Sequence, residues 1–343
     1  MIDLRSDTVT RPTDAMRQAM ARAEVGDDVM NDDPTVQRLQ AVVAERAGKA
    51  EGLYFPSGTQ SNLAALMAHC ERGDEYIVGQ LSHTYKYEGG GAAVLGSIQP
   101  QPIEHAPDGS LPLEKIEAAI KAVDFHFART RLLALENTFH GKVIPADYIK
   151  TAAALARSRG LFVHLDGARV FNAAVASDKP LAEMTADFDT VSLCFSKGLG
   201  APVGSVLVGD AAFIARARRW RKVLGGGMRQ AGVLAAACLY ALDHHVERLA
   251  DDHRRAERLA RALSDIDGLR VQGQSTNMVF LDIPSDHLPG LTRHLAEQGV
   301  VISGGYGGPT RLVTHLDVDD DAITSVVQGF EQFFTRKDMR SAA

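Results

Sequence analysis

Short apolar runs recur along the first two thirds of the chain, and polar or glycine-rich segments follow each of them. These runs cover residues 53–55, 75–78, 131–135, 161–165 and 190–195. Between them lie segments of helical length, such as the alanine-rich residues 146–159. Strands that are apolar throughout are typical of parallel sheets with helices on both faces. The pattern therefore predicts an α/β fold with a mainly parallel sheet.

The pattern changes after about Gly227. Residues 231–263 have almost unbroken helical character, apolar at first and then amphipathic. Beyond them, short strand-like runs alternate with one helix, at residues 269–271, 277–281, 300–302 and 311–314. This arrangement predicts a smaller α+β domain that a long helix joins to the larger one. We place an N-terminal arm at residues 1–15, the large domain at 16–245 and the small C-terminal domain at 246–343.

Composition and charge narrow the class of protein. The chain has 343 residues, of which 45% are hydrophobic and 23% charged, as in ordinary soluble globular proteins. Its net charge of -6 gives no reason to expect a nucleic acid or an anionic membrane as partner. The longest apolar stretch, Gly232 to Leu242, is too short for a membrane span, and the charged first residues do not resemble a signal peptide. We therefore expect a cytoplasmic protein, with Cys70, Cys194 and Cys238 as buried free thiols.

Candidate chemistry is concentrated where two of the predicted strands end. Lys197 follows the run at residues 190–195, and Asp166 and Arg169 follow the run at residues 161–165. Such strand ends line the ligand crevice of an open α/β sheet. A lysine there can form a Schiff base with the aldehyde of pyridoxal phosphate (PLP), while an acid pairs with the protonated pyridine nitrogen. Each residue also has an ordinary explanation, as a surface lysine, a turn aspartate or an arginine in a structural ion pair.

Two glycine-containing segments are candidates for binding a phosphate group. Gly58 and Thr59 follow Ser57 at a predicted helix N-terminus, where backbone N–H groups and the helix dipole favour an anion. Serine and threonine caps are common, so this signal is weak by itself. Residues 225–227 are three glycines that precede Arg229, and the apolar helix after them predicts a buried arginine. A flexible hinge between domains is the alternative explanation of that segment.

His83, His126 and Arg311 are further candidates. We predict both histidines in loops, where an imidazole can stack on a pyridine ring or act as a base, although a lone histidine is more often structural. The chain shows no His/Glu spacing of a metal site, so no metal is expected. Arg311, on a late predicted strand, is either a surface charge or a group that binds a substrate carboxylate.

Six stretches of the chain carry a resemblance to a known family. They are DLRSDTVT (3–10), PSGT (56–59), HLDGAR (164–169), SKGL (196–199), GGGMRQ (225–230) and RLVTH (311–315). With them, the chain resembles the PLP-dependent L-threonine aldolases of the aspartate-aminotransferase-like fold over essentially its whole length. The resemblance implies fold type I, with a mainly parallel seven-stranded sheet in the large domain. It also implies retro-aldol cleavage of L-threonine or L-allo-threonine to glycine and acetaldehyde, with tolerance of other L-β-hydroxy-α-amino acids.

The same resemblance assigns roles in cofactor binding. It implies that Lys197 forms the Schiff base, that Asp166 is the partner of the pyridine nitrogen and that Arg169 contacts the ring oxygen. Gly58 and Thr59 would bind the phosphate.

Further roles are implied for the substrate side and for a second subunit. Arg229 would reach the phosphate from a neighbouring subunit, which implies a homo-oligomer, with a dimer of dimers expected. His83 would stack on the ring, and Ser6 and Arg311 would hold the substrate carboxylate. Either His83 or His126 would remove the proton of the β-hydroxyl group.

The chain departs from the family pattern at one place. The pattern reads Glu-Asn-Thr-His-Asn where residues 136–140 of this chain read Glu-Asn-Thr-Phe-His. Phe139 therefore stands in place of a histidine, and no role is carried over to it. Two alternatives stay open: another fold-type-I PLP lyase or serine hydroxymethyltransferase-like enzyme, and a PLP-binding protein without catalytic activity.

Overall fold

The computed structural model describes residues 1–304 and 308–341, and its largest sheet has seven strands. In spatial order they are β2 (Glu51–Phe55), β8 (Ser205–Gly209), β7 (Thr190–Cys194), β6 (Phe162–Gly167), β5 (Thr130–Glu136), β3 (Glu75–Gly79) and β4 (Gln99–Ile103). β8 runs antiparallel to both of its neighbours, and every other pair in this sheet is parallel. The predicted mainly parallel sheet is therefore confirmed.

Helices cover both faces of this sheet. The helices are α1 (Asp14–Ala21), α2 (Pro34–Arg46), α3 (Gly58–His69), α4 (His83–Lys86), α5 (Gly91–Val94), α6 (Leu113–Ala119), α7 (Ala146–Ser158), α8 (Val170–Ser177), α9 (Leu181–Thr185), α10 (Ala211–Val223), α11 (Gly232–His244), α12 (Leu249–Ser264), α13 (Leu288–Glu297) and α14 (Asp320–Ser341). Alternate residues of a strand point to opposite faces. Leu133 and Leu135 of β5 enter one apolar core, whereas Leu132 and Ala134 enter another. Because both faces are covered, the strands are apolar throughout, as the sequence shows.

The starts of two helices follow from their capping residues. The Asp33 side chain accepts hydrogen bonds from the backbone N–H groups of Thr35 and Val36, and Pro34 occupies the first helical position of α2. Proline suits that position because its missing N–H would have no partner inside the helix. Ser57 caps α3 in the same way, by accepting from Gln60 N at 3.2 Å. Both helix starts agree with the sequence-based predictions.

Two local predictions are wrong. His83 is the first residue of the short helix α4 and does not lie in a loop. The helical stretch predicted over residues 231–263 is two helices, because α11 ends at His244 and α12 begins at Leu249. His245 is the C-cap of α11; it is buried, and its Nδ1 donates to the carbonyl oxygen of Leu199 at 2.7 Å.

The C-terminal part forms a second layer with its own core. Its antiparallel sheet has the order β12 (Thr310–Val313), β10 (Met278–Asp282) and β9 (Arg270–Ser275). Apolar side chains of α12, α13 and α14 pack with this sheet in a core separate from those of the large sheet. The domain boundaries placed at residues 15 and 245 stay a prediction.

The N-terminal arm packs on this second layer. Strand β1 (Ile2–Asp3) pairs in parallel with β11 (Val300–Val301), and Leu4 is fully buried in the C-terminal core. The backbone of Leu4 donates to Val301 O at 2.8 Å and accepts from Val313 N at 2.9 Å. These contacts hold the start of the chain beside β12. The residues after Leu4 therefore lie at the edge of the large sheet.

Two expectations from composition can be compared with the structure. Cys70, Cys194 and Cys238 are buried and free, as predicted. Among the helices of residues 1–304 and 308–341, none combines the length and the apolar character that crossing a membrane requires.

Candidate active site

Lys197 lies in the loop that follows β7, at the edge where the parallel strands end. Gly200 stabilises this loop: its N–H donates to Lys197 O at 2.8 Å, and its φ of 76° lies in the left-handed region that glycine adopts at low cost. The charge of Lys197 is close enough to influence Asp7, His83 and Glu136. Within the described part of the chain, its amine forms no ion pair or hydrogen bond. The amine is therefore free for chemistry.

Asp166 is buried in the second-last position of β6, beside the Lys197 strand. Its Oδ2 accepts from Asn62 Nδ2 at 2.9 Å, and its Oδ1 accepts from Ala168 N at 3.1 Å. Asn62 is held in turn by His164, whose Nε2 lies 3.2 Å from Asn62 Oδ1. Burial lowers the pKa of His164 to about 4, so this imidazole is neutral and can donate to the amide oxygen. A chain of buried hydrogen bonds thus orients the Asp166 carboxylate.

His83 stands among three carboxyl groups. Its Nδ1 donates to Glu88 Oε1 at 2.8 Å, and its backbone N–H donates to Glu136 Oε2 at 2.9 Å. The same oxygen of Glu88 accepts from Asn62 Nδ2 at 3.0 Å, which links His83 to the asparagine that binds Asp166. We call His83, Glu88, Glu136 and Asp166 the acidic side of the site.

The pKa values on the acidic side follow from burial and from these bonds. The hydrogen bond to Glu88 raises the pKa of His83. Burial raises the pKa of Glu88, although its bond to His83 acts in the opposite direction. Burial and the neighbouring charge of Asp166 raise the pKa of Glu136 to about 7. One ring nitrogen of His83 and one carboxylate oxygen each of Glu88 and Asp166 lie within 4.8 Å of one another, so the three side chains form a compact array.

The N-terminal arm supplies a buried ion pair on the opposite side. Asp7 accepts from Arg169 Nε at 2.7 Å and from its terminal nitrogen at 2.6 Å, so the pair is bidentate. Burial acts to raise the pKa of Asp7, but the Arg169 charge and hydrogen bonds outweigh it and hold that pKa well below its usual range. Asn277 Nδ2 also donates to Asp7, at 3.3 Å. Arg169 is therefore fixed by the arm.

Arg311, on β12, lies beside this ion pair. Burial and the positive charge of Arg169 lower the pKa of the Arg311 guanidinium. Its one hydrogen bond goes to the backbone oxygen of Arg5, at 3.4 Å, and no carboxylate among residues 1–304 and 308–341 pairs with it. Ser6 lies next in the arm and caps a turn by accepting from Thr8 N at 3.3 Å. An arginine without a carboxylate partner is suited to bind an anionic substrate group.

The start of α3 has groups that could hold a phosphate. Gly58 and Thr59 are its first two residues, so their N–H groups have no partner inside the helix. The Ser205 hydroxyl, at the start of β8, is buried without a hydrogen-bond partner in the described structure. It lies 3.5 Å from the position that a Cβ on Gly58 would occupy. These groups fit an oxyanion such as the phosphate of PLP.

Two of the sequence candidates lie apart from this cluster. Arg229 is 56% exposed and pairs with Asp27 at 2.9 Å, so the expectation of a buried arginine is wrong for this chain. His126 is 66% exposed and bonds to Asp124 at 2.6 Å. It precedes β5 and therefore lies near the N-terminal ends of the parallel strands, whereas Lys197 and Asp166 lie at their C-terminal ends.

The residues that the structure brings together fit PLP. They comprise a lysine with a free amine, a buried carboxylate on the neighbouring strand, and a helix N-terminus beside an unpaired hydroxyl. Sequence analysis had found Lys197, Asp166, His83 and the Gly58 segment, but it gave no role to Asp7, Glu88 or Glu136. Glu136 ends the apolar run at residues 131–135 and Asp7 lies in the stretch DLRSDTVT, whereas Glu88 lies in a segment without a distinctive spacing.

Comparisons with known proteins give the same result for the fold. The structure of threonine aldolase from Leishmania major superposes with a TM-score of 0.82 at 21% identity, covering 97% of this chain and 100% of that one. A structure of SPT with PLP has a TM-score of 0.74 at 18% identity, covering 97% and 87% of the two chains. The fold is that of the fold-type-I PLP-dependent enzymes, as expected.

Comparisons of sequence give the family. A family model described as "Beta-eliminating lyase" matches residues 3–285. The low specificity L-threonine aldolase of Escherichia coli (strain K12) is 53% identical over 336 residues, which cover 98% of this chain and 100% of that relative. The chain therefore belongs to the low-specificity L-threonine aldolases within the β-eliminating lyase family.

Proposed function

We propose that this protein cleaves L-threonine and L-allo-threonine to glycine and acetaldehyde, and that it uses PLP. The observation that carries the proposal is the free amine of Lys197, placed beside the buried Asp166 carboxylate in a chain 53% identical to a low specificity L-threonine aldolase. When bound, PLP supplies a ring that accepts the electron pair of the broken Cα–Cβ bond. Other L-β-hydroxy-α-amino acids are proposed as further substrates.

Binding of the cofactor is assigned to residues of several elements. Lys197 would hold PLP covalently, and Asp166 would keep the pyridine nitrogen protonated. Gly58 and Thr59, with the Ser205 hydroxyl, would receive the phosphate. The hydrogen bonds from Asn62 and Ala168 to Asp166 support this assignment, because they fix the carboxylate in one orientation.

The substrate carboxylate is assigned to the other side of the site. Arg311 offers a guanidinium without a carboxylate partner in the described structure, and it donates to the backbone oxygen of Arg5, the residue before Ser6 in the arm. Asp7 holds Arg169 in place and balances its charge. The positive charge of Arg311 is therefore available for the substrate carboxylate. Fixing the carboxylate and the amine of the amino acid orients its Cα–Cβ bond for cleavage.

His83 is proposed as the group that accepts the β-hydroxyl proton. Its Nδ1 proton is donated to Glu88, so Nε2 of the neutral ring is an acceptor. The bond to Glu88 raises the pKa of His83 and makes it a stronger base. His126, the other candidate, lies at the opposite end of its own sheet, so a catalytic role for it requires a neighbouring copy of the chain.

An assembly of two or more subunits is part of the proposal. The Arg229 side chain is exposed, and its partner Asp27 is partly exposed. The guanidinium can therefore exchange this ion pair for a phosphate in a neighbouring subunit. We propose a homo-oligomer, with a dimer of dimers as the expected form. The three buried free thiols fit the reducing cytoplasm as its location.

The test is an assay of purified holoenzyme with the four stereoisomers of threonine, coupling acetaldehyde release to a reductase. Acetaldehyde from the L-forms alone is the expected result. Lys197→Ala should lose both turnover and the visible absorbance of the bound cofactor, whereas Lys179→Ala, a surface lysine paired with Glu183, should keep both. Release of pyruvate and ammonia without acetaldehyde would instead establish a β-eliminating lyase.

A further inference from the structure

Phe139 stands where the family pattern has a histidine, and it lies in the interior of the protein. Its side chain is buried, and its ring stacks on His105 with centroids 3.9 Å apart and an interplanar angle of 19°. Its backbone exchanges two hydrogen bonds with Lys142, at 2.8 and 2.9 Å. Position 139 therefore contributes packing and cannot present a polar group to a substrate.

The next residue, His140, is held in an unusual backbone conformation. Its φ of 47° lies in the left-handed region, which histidine enters more readily than most residues. The following Gly141 accepts two hydrogen bonds at its carbonyl oxygen, from the hydroxyls of Ser275 at 3.0 Å and Thr276 at 2.9 Å. The loop that carries His140 is thus tied to the turn between β9 and β10.

This anchoring places the imidazole on the face of the C-terminal sheet that carries Arg311. The His140 ring meets the Phe280 ring edge-on, with centroids 6.2 Å apart. Phe280 and Arg311 are directly paired across β10 and β12, and such partners project from the same face of a sheet. His140, Phe280 and Arg311 therefore border one half-buried corner. Within the described residues, neither ring nitrogen of His140 has a hydrogen-bond partner.

The charges around His140 keep its ring neutral. Burial lowers its pKa, and the positive charges of Arg311, Arg169, Lys142 and Lys86 lower it further. A neutral imidazole retains one N–H donor. The positive charges around that donor favour an anion as the group it binds. We define the cationic side of the site as Asp7, Arg169, Arg311 and His140.

We propose that His140 is a substrate-binding residue of this chain, and that it donates a hydrogen bond to the α-carboxylate held by Arg311 and Ser6. This inference rests on the proposed function, because the carboxylate is that of the amino acid substrate. The imidazole contributes to binding equally before and during bond cleavage, since the carboxylate is not a reacting group. Its loss should raise KM with little effect on kcat.

The experiment uses holoenzyme with His140→Gly and His140→Asn, since glycine and asparagine both tolerate the positive φ. His140→Gly should raise KM for L-threonine about tenfold, as expected for a hydrogen bond to a charged group, with kcat changed less than about twofold. His140→Asn should recover part of the loss, because its side chain keeps an N–H donor. Asp178→Gly, an exposed residue with a φ of 50°, is the matched control for the change in backbone freedom and should leave KM unchanged.

Binding is also measured without turnover, by the thermal stabilisation of holoenzyme by butyrate and by 3-hydroxybutyrate, which lack the α-amine. His140→Gly should weaken both acids about tenfold. Unchanged affinities, or a loss confined to 3-hydroxybutyrate, would overturn the proposal, the latter by assigning His140 to the hydroxyl group. If wild-type enzyme binds butyrate through His140 but releases no acetaldehyde, the carboxylate contact holds and the aldolase proposal fails.

Discussion

The acidic side and the cationic side of the site differ in how their charged groups are paired. On the acidic side, Glu88, Glu136 and Asp166 each accept a hydrogen bond from His83 or Asn62, so every carboxyl group has a partner within the chain. The cationic side has two guanidinium groups for one carboxylate. The difference teaches that the carboxyl groups of one side are already held by hydrogen bonds, whereas the other side has one positive charge without a carboxylate partner.

The two sides also differ in the chain segments that build them. The acidic side comes from residues of the large sheet's edge and its adjoining helices α3 and α4. The cationic side combines the N-terminal arm, the start of α8, the loop after β5 and strand β12. Its geometry therefore depends on how the arm and the C-terminal sheet pack, and substitutions there should affect stability as well as binding.

The largest effect is expected for Asp7→Asn, which removes the carboxylate from the buried Arg169. Breaking a buried ion pair by removing one partner typically costs about 3–5 kcal/mol. We expect a loss of this order in the free energy of unfolding, measured by urea denaturation of the holoenzyme at fixed protein concentration. Asp3→Asn is the matched control, because Asp3 pairs with the exposed Arg5 in the same arm and its loss should have little effect. Equal losses for the two variants would show that Asp7 does not anchor Arg169.

The next effect concerns the proton held by Glu136 on the acidic side. Its pKa rises from 4.5 to about 7 on folding, so its contribution to stability is fully present below pH 4.5 and is lost as pH rises to about 7. Glu136→Gln removes this loss and should be more stable than wild type at pH 8, by on the order of 3 kcal/mol. The glutamine oxygen can still accept from His83 N. Unfolding measured from pH 5 to 8 should show the gap closing towards pH 5; a constant gap would contradict the raised pKa.

Part of the acidic side could be predicted from the sequence, because Asp166 lies at the end of an apolar run. Lys197 follows the neighbouring run after one serine, and parallel strands end at one edge of a sheet. Glu136 also ends a run, and it could have been included on the same argument. Glu88 lies in a polar segment five residues after His83, and only the folded helix α4 shows that they meet.

Only part of the cationic side could be predicted from the residues themselves, namely Arg169 after an apolar run and Arg311 on a late strand. Asp7 and Arg169 are 162 positions apart, and no local pattern connects an arm residue to a residue at a helix start. The exchange at positions 139 and 140 was visible in the sequence, but its meaning depends on the stacking of Phe139 on His105 and on the positive φ of His140. Tertiary packing decides which of two neighbouring side chains faces the substrate.

The smallest effect is expected for Glu88→Gln, which should change the pH profile and the rate. The substitution keeps the size of the side chain but weakens the hydrogen bond, and removes the negative charge, by which Glu88 raises the pKa of His83. Since a base must be unprotonated to act, the acidic limb of kcat/KM against pH should move to lower pH in the variant. The plateau rate should fall about tenfold, because a weaker base removes the β-hydroxyl proton less well.

Glu104→Gln is the control for Glu88→Gln, because Glu104 is exposed and pairs with Lys115 at 3.4 Å, away from the site. It should leave the pH profile unchanged. A purely structural role for Glu88 would lower the rate at every pH without moving the limb, and a limb that stays in place would remove His83 as the base. A shifted limb with unchanged affinity for butyrate would show that the acidic side governs proton transfer while the cationic side governs binding.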